Sequence, residues 1–145
     1  MSTGIQLENI QVGQRAENWM EAIKIAAQPL IKRGSITEQY VHNMIKSVVD
    51  LGPYIVIMPY FALAHAAPCD DVKQSDVSIA TFQNDILFHC DHDPVRIVMC
   101  LACVDKTSHI EKLQGIAETL MDQNIVERMM ACQDEEELYS LLQDK

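Results

Sequence analysis

Two histidines, His65 and His109, are placed to do chemistry, because each follows an apolar run of strand length. His65 lies a few residues beyond Tyr54–Met58, and His109 a few residues beyond Val95–Val104. In open α/β sheets, sites gather outside the carboxyl ends of strands. If the two strands are parallel neighbours, both imidazoles share one cleft. His109 also falls in the first turn of an expected helix, where unpaired main-chain N–H groups favour an anion. Thr107 and Ser108 add hydroxyl donors there, as candidate phosphate-binding residues. Such a cleft suits a phosphoryl group: one imidazole is the nucleophile, and the other, with the helix amides, stabilises charge. On pattern alone, two unrelated surface histidines fit the same spacing.

Other reactive side chains read differently. Cys100 and Cys103 have the spacing of a redox pair, but such a pair needs its first thiol near a helix N-terminus. Here both lie in a strand pattern, where residues three apart point to opposite faces, so core packing is expected. His89-Cys90-Asp91-His92-Asp93 gathers several metal-ligand types in five residues. No second His/Cys pair accompanies it at finger spacing, and a polar loop between strands accounts for it; no metal site is expected. His42 falls on the polar side of a helix and is expected to be solvated.

Elements that could position the two histidines follow from the hydropathy pattern. Ile10-Gln11-Val12 reads as a short strand. Asn18 with Glu21 caps a first helix, carried by Trp19, Met20, Ile23, Ala26, Ala27, Leu30 and Ile31 and stopping near Gly34. Pro29 inside it predicts a kink or an early end. Thr37 caps a second helix with Tyr40, Val41, Met44, Ile45, Val48 and Val49 on one face and Gly52 as its stop. Tyr54–Met58, between two prolines, reads as a strand buried on both faces. Val77–Phe82 is a further strand, Asn84-Asp85 a turn, and Ile86-Leu87-Phe88 a returning strand. Val95–Val104 is the second long buried strand. Ser108 with Glu111 opens a third helix, with Ile110, Leu113, Ala117, Leu120 and Met121 inward. Ile125, Val126, Met129 and Met130 form a short fourth, and Asp134 with Glu137 caps a last one that buries Leu138, Leu141 and Leu142. Helices at both ends around several strands predict an α/β fold: a three-layer domain, a mixed β-sheet flanked by helices on both faces.

Composition bounds the function classes. The chain has 145 residues, 48% hydrophobic and 22% charged, which is globular material and enough for one domain spanning 1–145. No apolar run approaches the roughly 20 residues of a membrane-spanning helix, and Met1–Gln6 lacks the pattern of a secretory leader, so a cytoplasmic protein is expected. A net charge of −10 is opposite in sign to a nucleic-acid footprint, so no nucleic-acid partner is expected. The same charge would attract a partner that presents basic groups. Five cysteines, an odd number in a chain of this kind, read as reduced thiols.

Gly52-Pro53-Tyr54-Ile55-Val56-Ile57-Met58-Pro59, running into Ala62-Leu63-Ala64-His65-Ala66, resembles the active-site stretch of enzyme IIA of the bacterial sugar phosphotransferase system (PTS), mannitol/fructose type. Asp93-Pro94-Val95, Ala102-Cys103-Val104-Asp105, Thr107 and His109, with Ala131-Cys132 and Glu135-Glu136-Glu137-Leu138, look like its ascorbate-type branch. The resemblance spans about residues 15–142. It implies a type-2 EIIA domain and a phosphotransferase that needs no cofactor. His65 would take a phosphoryl group on Nε2 from HPr, the general phosphocarrier protein. It would pass the group to a cysteine of enzyme IIB, which feeds a sugar, ascorbate or a related one, imported by the membrane enzyme IIC. His109 matches the family's second histidine, beside the phosphorylated one. A regulatory module that keeps the fold and binds or senses without transferring phosphate is the alternative. The sequence departs from the family pattern at Ala64, usually Pro, at Tyr60, commonly Gly, and at Val49, where mannitol members carry Arg.

Overall fold

The computed structural model describes residues 4–143; Met1–Thr3, read above for a leader, and the last two residues lie outside it. A five-stranded mixed sheet has the order β1-β4-β5-β3-β2. Its strands are β1 (Ile10–Gln14), β2 (Val56–Met58), β3 (Tyr60–His65), β4 (Asp76–Ile86) and β5 (Val95–Ala102). β1 runs parallel to β4 and β3 parallel to β5, while β4·β5 and β2·β3 are antiparallel. Helices α1 (Trp19–Lys32) and α2 (Glu38–Leu51) cover one face; α3 (Lys106–Leu120), α4 (Ile125–Ala131) and α5 (Glu135–Gln143) cover the other. This is the three-layer α/β arrangement that the pattern of elements predicts.

The sheet divides the core in two because strand side chains alternate between faces. Along β5, Val98, Cys100 and Ala102 join the α1/α2 core, while Ile97, Met99, Leu101 and Cys103 join the α3/α4/α5 core. Cys100 and Cys103 therefore lie on opposite faces as free thiols, and burial pushes Cys100 up to about 12. Along β3 the alternation sends Ala62, Ala64 and Ala66 toward α1/α2, and Phe61 and Leu63 toward α3. Three alanines thus lie on the face of the sheet that α1 and α2 cover.

Caps appear where carboxylates and amides stand at helix starts. Asn18 accepts from the Glu21 N–H at 2.9 Å. At α5, Asp134 accepts from Glu137 N–H at 2.8 Å, while Glu137 accepts from Gln133 N–H at 2.7 Å, a reciprocal capping box. Thr37 does hold the N-cap position of α2, yet its hydroxyl donates instead to Asp71 at 2.8 Å. Pro29 does not end α1, which runs on to Lys32.

Five expectations need correction. The Tyr54–Met58 run is not a strand buried on both faces: only Val56–Met58 is a strand, at the sheet edge, with Ile57 44% exposed. The chain reverses at Pro59 and Tyr60, and the buried strand is β3, which lies inside the sheet between β2 and β5. Its Ala-Leu-Ala stretch has little intrinsic strand preference, and burial between β2 and β5 overrides that. Asn84-Asp85 is not a turn. The Asn84 amide donates to the Ala16 carbonyl at 2.7 Å and Asp85 pairs with Arg96 of β5 at 2.7 Å, so both polar side chains tie β4 to its neighbours. β4 thus continues to Ile86, and Leu87-Phe88 leads into a loop instead of a returning strand. In helix α3 the buried stripe is Gly115, Ile116 and Thr119, whereas Ile110, Ala117 and Met121 are exposed and Leu113 and Leu120 half-buried. The cap of α3 is Asp105, three residues earlier than the predicted Ser108.

The reversal before β3 has a measurable cost. Tyr60 sits at φ +74°, in the left-handed region that an L side chain occupies at about 1–2 kcal/mol. Glycine carries no such penalty, although its freer unfolded chain offsets part of the gain. We predict that Tyr60→Gly raises stability by about 0.5–1 kcal/mol in urea unfolding; an unchanged or lower midpoint would show that the Tyr60 ring makes contacts worth more than its backbone strain.

Candidate functional site

His65 is the last residue of β3, and its alternation with Phe61 and Leu63 turns it toward α3. Its register partner on β5 is Leu101. After Ala102 the chain leaves β5 and enters α3, whose first turn holds His109. The two histidines thus come from the carboxyl ends of adjacent parallel strands, as the cleft argument requires, although the strand that delivers His65 is β3 and not the Tyr54–Met58 run. Their ring centroids are 5.8 Å apart, with the planes inclined at 48°. Both side chains are half-buried.

The His65 ring is held on two sides. Nδ1 lies 2.8 Å from the carbonyl oxygen of Leu63. A carbonyl can only accept, so Nδ1 carries the hydrogen and donates it, which leaves the lone pair of the neutral ring on Nε2. Tyr54 stands edge-on to the imidazole, with centroids 5.5 Å apart and an interplanar angle of 89°. Sequence reading placed Tyr54 in a buried strand and gave it no part in the site; the GPY turn instead leaves it 42% exposed beside His65.

His109 differs from His65 electrostatically. Burial, with a smaller contribution from His65, holds its ring below the ordinary imidazole value of 6.5. A neutral His109 near pH 7 is ready to take up a proton when negative charge arrives nearby.

The start of α3 is less open than the sequence suggests. Asp105 accepts from Ser108 N–H at 2.8 Å, and hydrogen bonds from Ser108 and Thr107 hold its carboxyl below the usual carboxylate range. The Ser108 hydroxyl donates to the Asp105 carbonyl at 3.1 Å and receives a hydrogen bond from Ser75 at 3.0 Å, and Ser75 in turn accepts from Val104 N–H. Thr107 is exposed. The helix amides and Ser108 therefore already have partners of the protein's own.

Beside His65 runs an apolar groove of about 520 Å³. Its walls are Tyr54, Ile57 and Met58 on the β2 side and Leu113, Ala117, Leu120 and Met121 on α3. This is the helix face predicted to point inward. It is apolar at helical spacing, and it borders a surface groove because α3 turns Gly115, Ile116 and Thr119 to the core instead.

The other candidates stand apart from the two histidines in role. Asp93 closes the 89–93 loop by accepting from the N–H groups of Phe88, His89 and Cys90 at 2.9, 2.7 and 3.2 Å. Burial pushes its carboxyl up, and these N–H groups outweigh that and hold it low. His42 is exposed on α2, and so is Val49, at the mannitol-type Arg position. Among the described residues no helix is long and apolar enough to cross a membrane.

Comparison with known proteins agrees with this geometry. The family described as phosphoenolpyruvate-dependent sugar phosphotransferase system, EIIA 2, matches residues 4–145. The ascorbate-specific PTS system EIIA component of Escherichia coli K12 is 32% identical over 137 residues, 93% of this chain and 89% of that one. The crystal structure of E. coli IIA mannitol superposes with a TM-score of 0.82 at 26% identity, covering 95% of this chain and 98% of the other. The solution structure of the E. coli mannitol-specific cryptic enzyme IIA, CmtB, shares the fold with a TM-score of 0.91 over the whole of both chains, at 24% identity. A histidine pair at the ends of two parallel strands, in a chain matched from residue 4 to its last residue, has one consistent reading: the chain belongs to the EIIA 2 family and is a phosphotransferase of the phosphoenolpyruvate-dependent sugar phosphotransferase system.

Proposed function

We propose that His65 is the phosphoryl acceptor, that phospho-HPr is its donor, and that a cysteine of an enzyme IIB takes the group onward to ascorbate or a related sugar entering through enzyme IIC. The observation that carries this reading is the Nδ1–H···O=C bond from His65 to Leu63, which leaves Nε2 as the nucleophile. The Nε2 lone pair attacks phosphorus, a new N–P bond forms, and the N–P bond to the donor histidine breaks with its electron pair returning to that ring. Nδ1 keeps its hydrogen on the Leu63 carbonyl throughout. The phosphorylated ring is then a phosphoimidazolium, a good leaving group when the IIB thiolate attacks the same phosphorus. Transfer between nucleophiles of similar phosphoryl potential depends on alignment and charge stabilisation, which the protein supplies through position.

His109 stabilises the phosphoryl group from the neighbouring strand end and is not a second acceptor. Thr107 is free to turn its hydroxyl to the phosphate; Ser108 must first release Asp105 or share its hydrogen bond. The sugar assignment rests on the 32% identity to the ascorbate-specific component of E. coli and on the ascorbate-type residues at 93–109. A binding or sensing module without transfer has less support, because it has no need of a tautomer-fixed histidine facing a second one.

Two measurements test this reading. With phosphoenolpyruvate, enzyme I and HPr, the wild-type protein should gain one acid-labile, base-stable phosphate and His65→Ala none, while His109→Ala should still gain one but lose it faster. Full labelling of His65→Ala would remove the assignment. The second is an NMR titration of His109. Its midpoint should lie below 6.5 in the free protein and rise once His65 carries phosphate, because a dianion nearby favours the imidazolium. A midpoint that does not move would put His109 outside the reach of the phosphoryl group.

A further inference from the structure

The hydroxyl of Tyr40 lies where β3 and β5 end together. Tyr40 is on helix α2, 1% exposed, on the opposite side of the sheet from His109. Its oxygen accepts from Ala66 N–H at 3.0 Å, and its hydrogen is shared between the carbonyls of Ala66, at 3.0 Å, and Leu101, at 3.1 Å. Ala66 is the residue after His65, and Leu101 is the register partner of His65. The β3·β5 ladder stops at that pair, so one phenol hydroxyl ties the main chain of the two strands where their backbone pairing ends.

From this geometry we propose that Tyr40 is a positioning residue for phosphoryl transfer: its hydroxyl fixes the main chain just after His65 to that of its register partner Leu101 and so holds the imidazole on the Leu63 carbonyl with Nε2 free to react. The proposal rests on the reading that His65 is the acceptor. Every polar partner of the hydroxyl is main chain, and none is a core side chain, which is the pattern of a group that sets a backbone path. The alanines at 62, 64 and 66 give the ring the room to reach that place. Burial, set against a hydrogen bond from Ala66, pushes the phenol well above its ordinary value, so it remains a donor at any working pH. Without the hydroxyl, Ala66 N–H loses its partner in a dry site and the link from Ala66 to Leu101 is gone, so the segment that carries His65 shifts to satisfy that N–H.

The test compares wild type, Tyr40→Phe and Val48→Ala, the last removing buried side-chain volume from the same helix while keeping the hydroxyl. All three are measured with trimethylamine N-oxide present, so that a modest stability loss does not unfold the chain. One readout is the ¹⁵N shift pair of the His65 ring in unphosphorylated protein; the other is transfer from phospho-HPr. Tyr40→Phe should lose the single-tautomer signature. Its kcat should fall about 10- to 100-fold with KM for the donor within about two-fold, since misplacement by an ångström costs this much and uniform binding is untouched. Val48→Ala should keep both. Wild-type tautomer and kcat in Tyr40→Phe would overturn the proposal, as would equal losses in Val48→Ala, or a Tyr40→Phe chain that stays unfolded under these conditions. If the wild-type phosphate sits on another residue, the acceptor assignment fails, while the tautomer comparison still decides whether Tyr40 orients His65.

Discussion

The parallel pairing of β3 with β5, in the register that sets His65 opposite Leu101, is the constraint on which the rest of the site depends. It brings two strand ends to one edge of the sheet. It also sets, through the period of two, that the last residue of β3 faces α3 and not α2. A slip of one residue would turn His65 into the α1/α2 core and bring an alanine to the site. The hydrophobic set of β3 opposes that slip, because Phe61 and Leu63 would change cores with it.

Two scales of energy divide the work. Burying one large aliphatic or aromatic side chain is worth about 1.5–3 kcal/mol, and the sheet has such residues on both faces, so the layers are fixed by apolar burial. A hydrogen bond contributes about 1 kcal/mol net and adds little to the fold by comparison. Its value at this site is directional. The Leu63 carbonyl selects which nitrogen of His65 bears the hydrogen, Asp105 closes the start of α3, and Asp93 closes the 89–93 loop. Strain enters at Tyr60, where the chain reverses between β2 and β3 just ahead of the strand that carries His65.

The electrostatics of the site follow from its position at the surface of an acidic protein. Asp105 occupies the amides that an anion would use, and Val49 stands where mannitol members carry Arg. On the proposed reading, charge compensation for a phosphoryl group falls chiefly to His109, whose ring burial holds below the ordinary imidazole value. Around this polar pair lies an apolar rim from β2 and α3, which suits brief contact with one protein after another.

Local chemistry already written in the chain includes the caps at Asn18 and Asp134, the buried β5 with Cys100 and the following Cys103 on opposite faces, and the pair His65 and His109 after apolar runs. These depend on near neighbours in sequence, so spacing suffices to read them. The strand identity of Ala62-Leu63-Ala64, the exposed face of α3 and the course of β4 through Asn84 were decided by tertiary packing. In each case the local preference is weak or contrary, and a distant neighbour overrules it: β5 beside the alanines, the sheet under Gly115 and Ile116, and Ala16 and Arg96 on the Asn84-Asp85 pair. Residue types and spacing along the chain were enough to single out His65 and His109 as candidates for phosphoryl chemistry. The pairing of β3 with β5 and the meeting of Tyr40 with Ala66 and Leu101 were settled in the folded chain, because those contacts join residues 26 and 61 positions apart through sheet register and layer packing, whereas the bond from His65 Nδ1 to Leu63 joins residues only two apart.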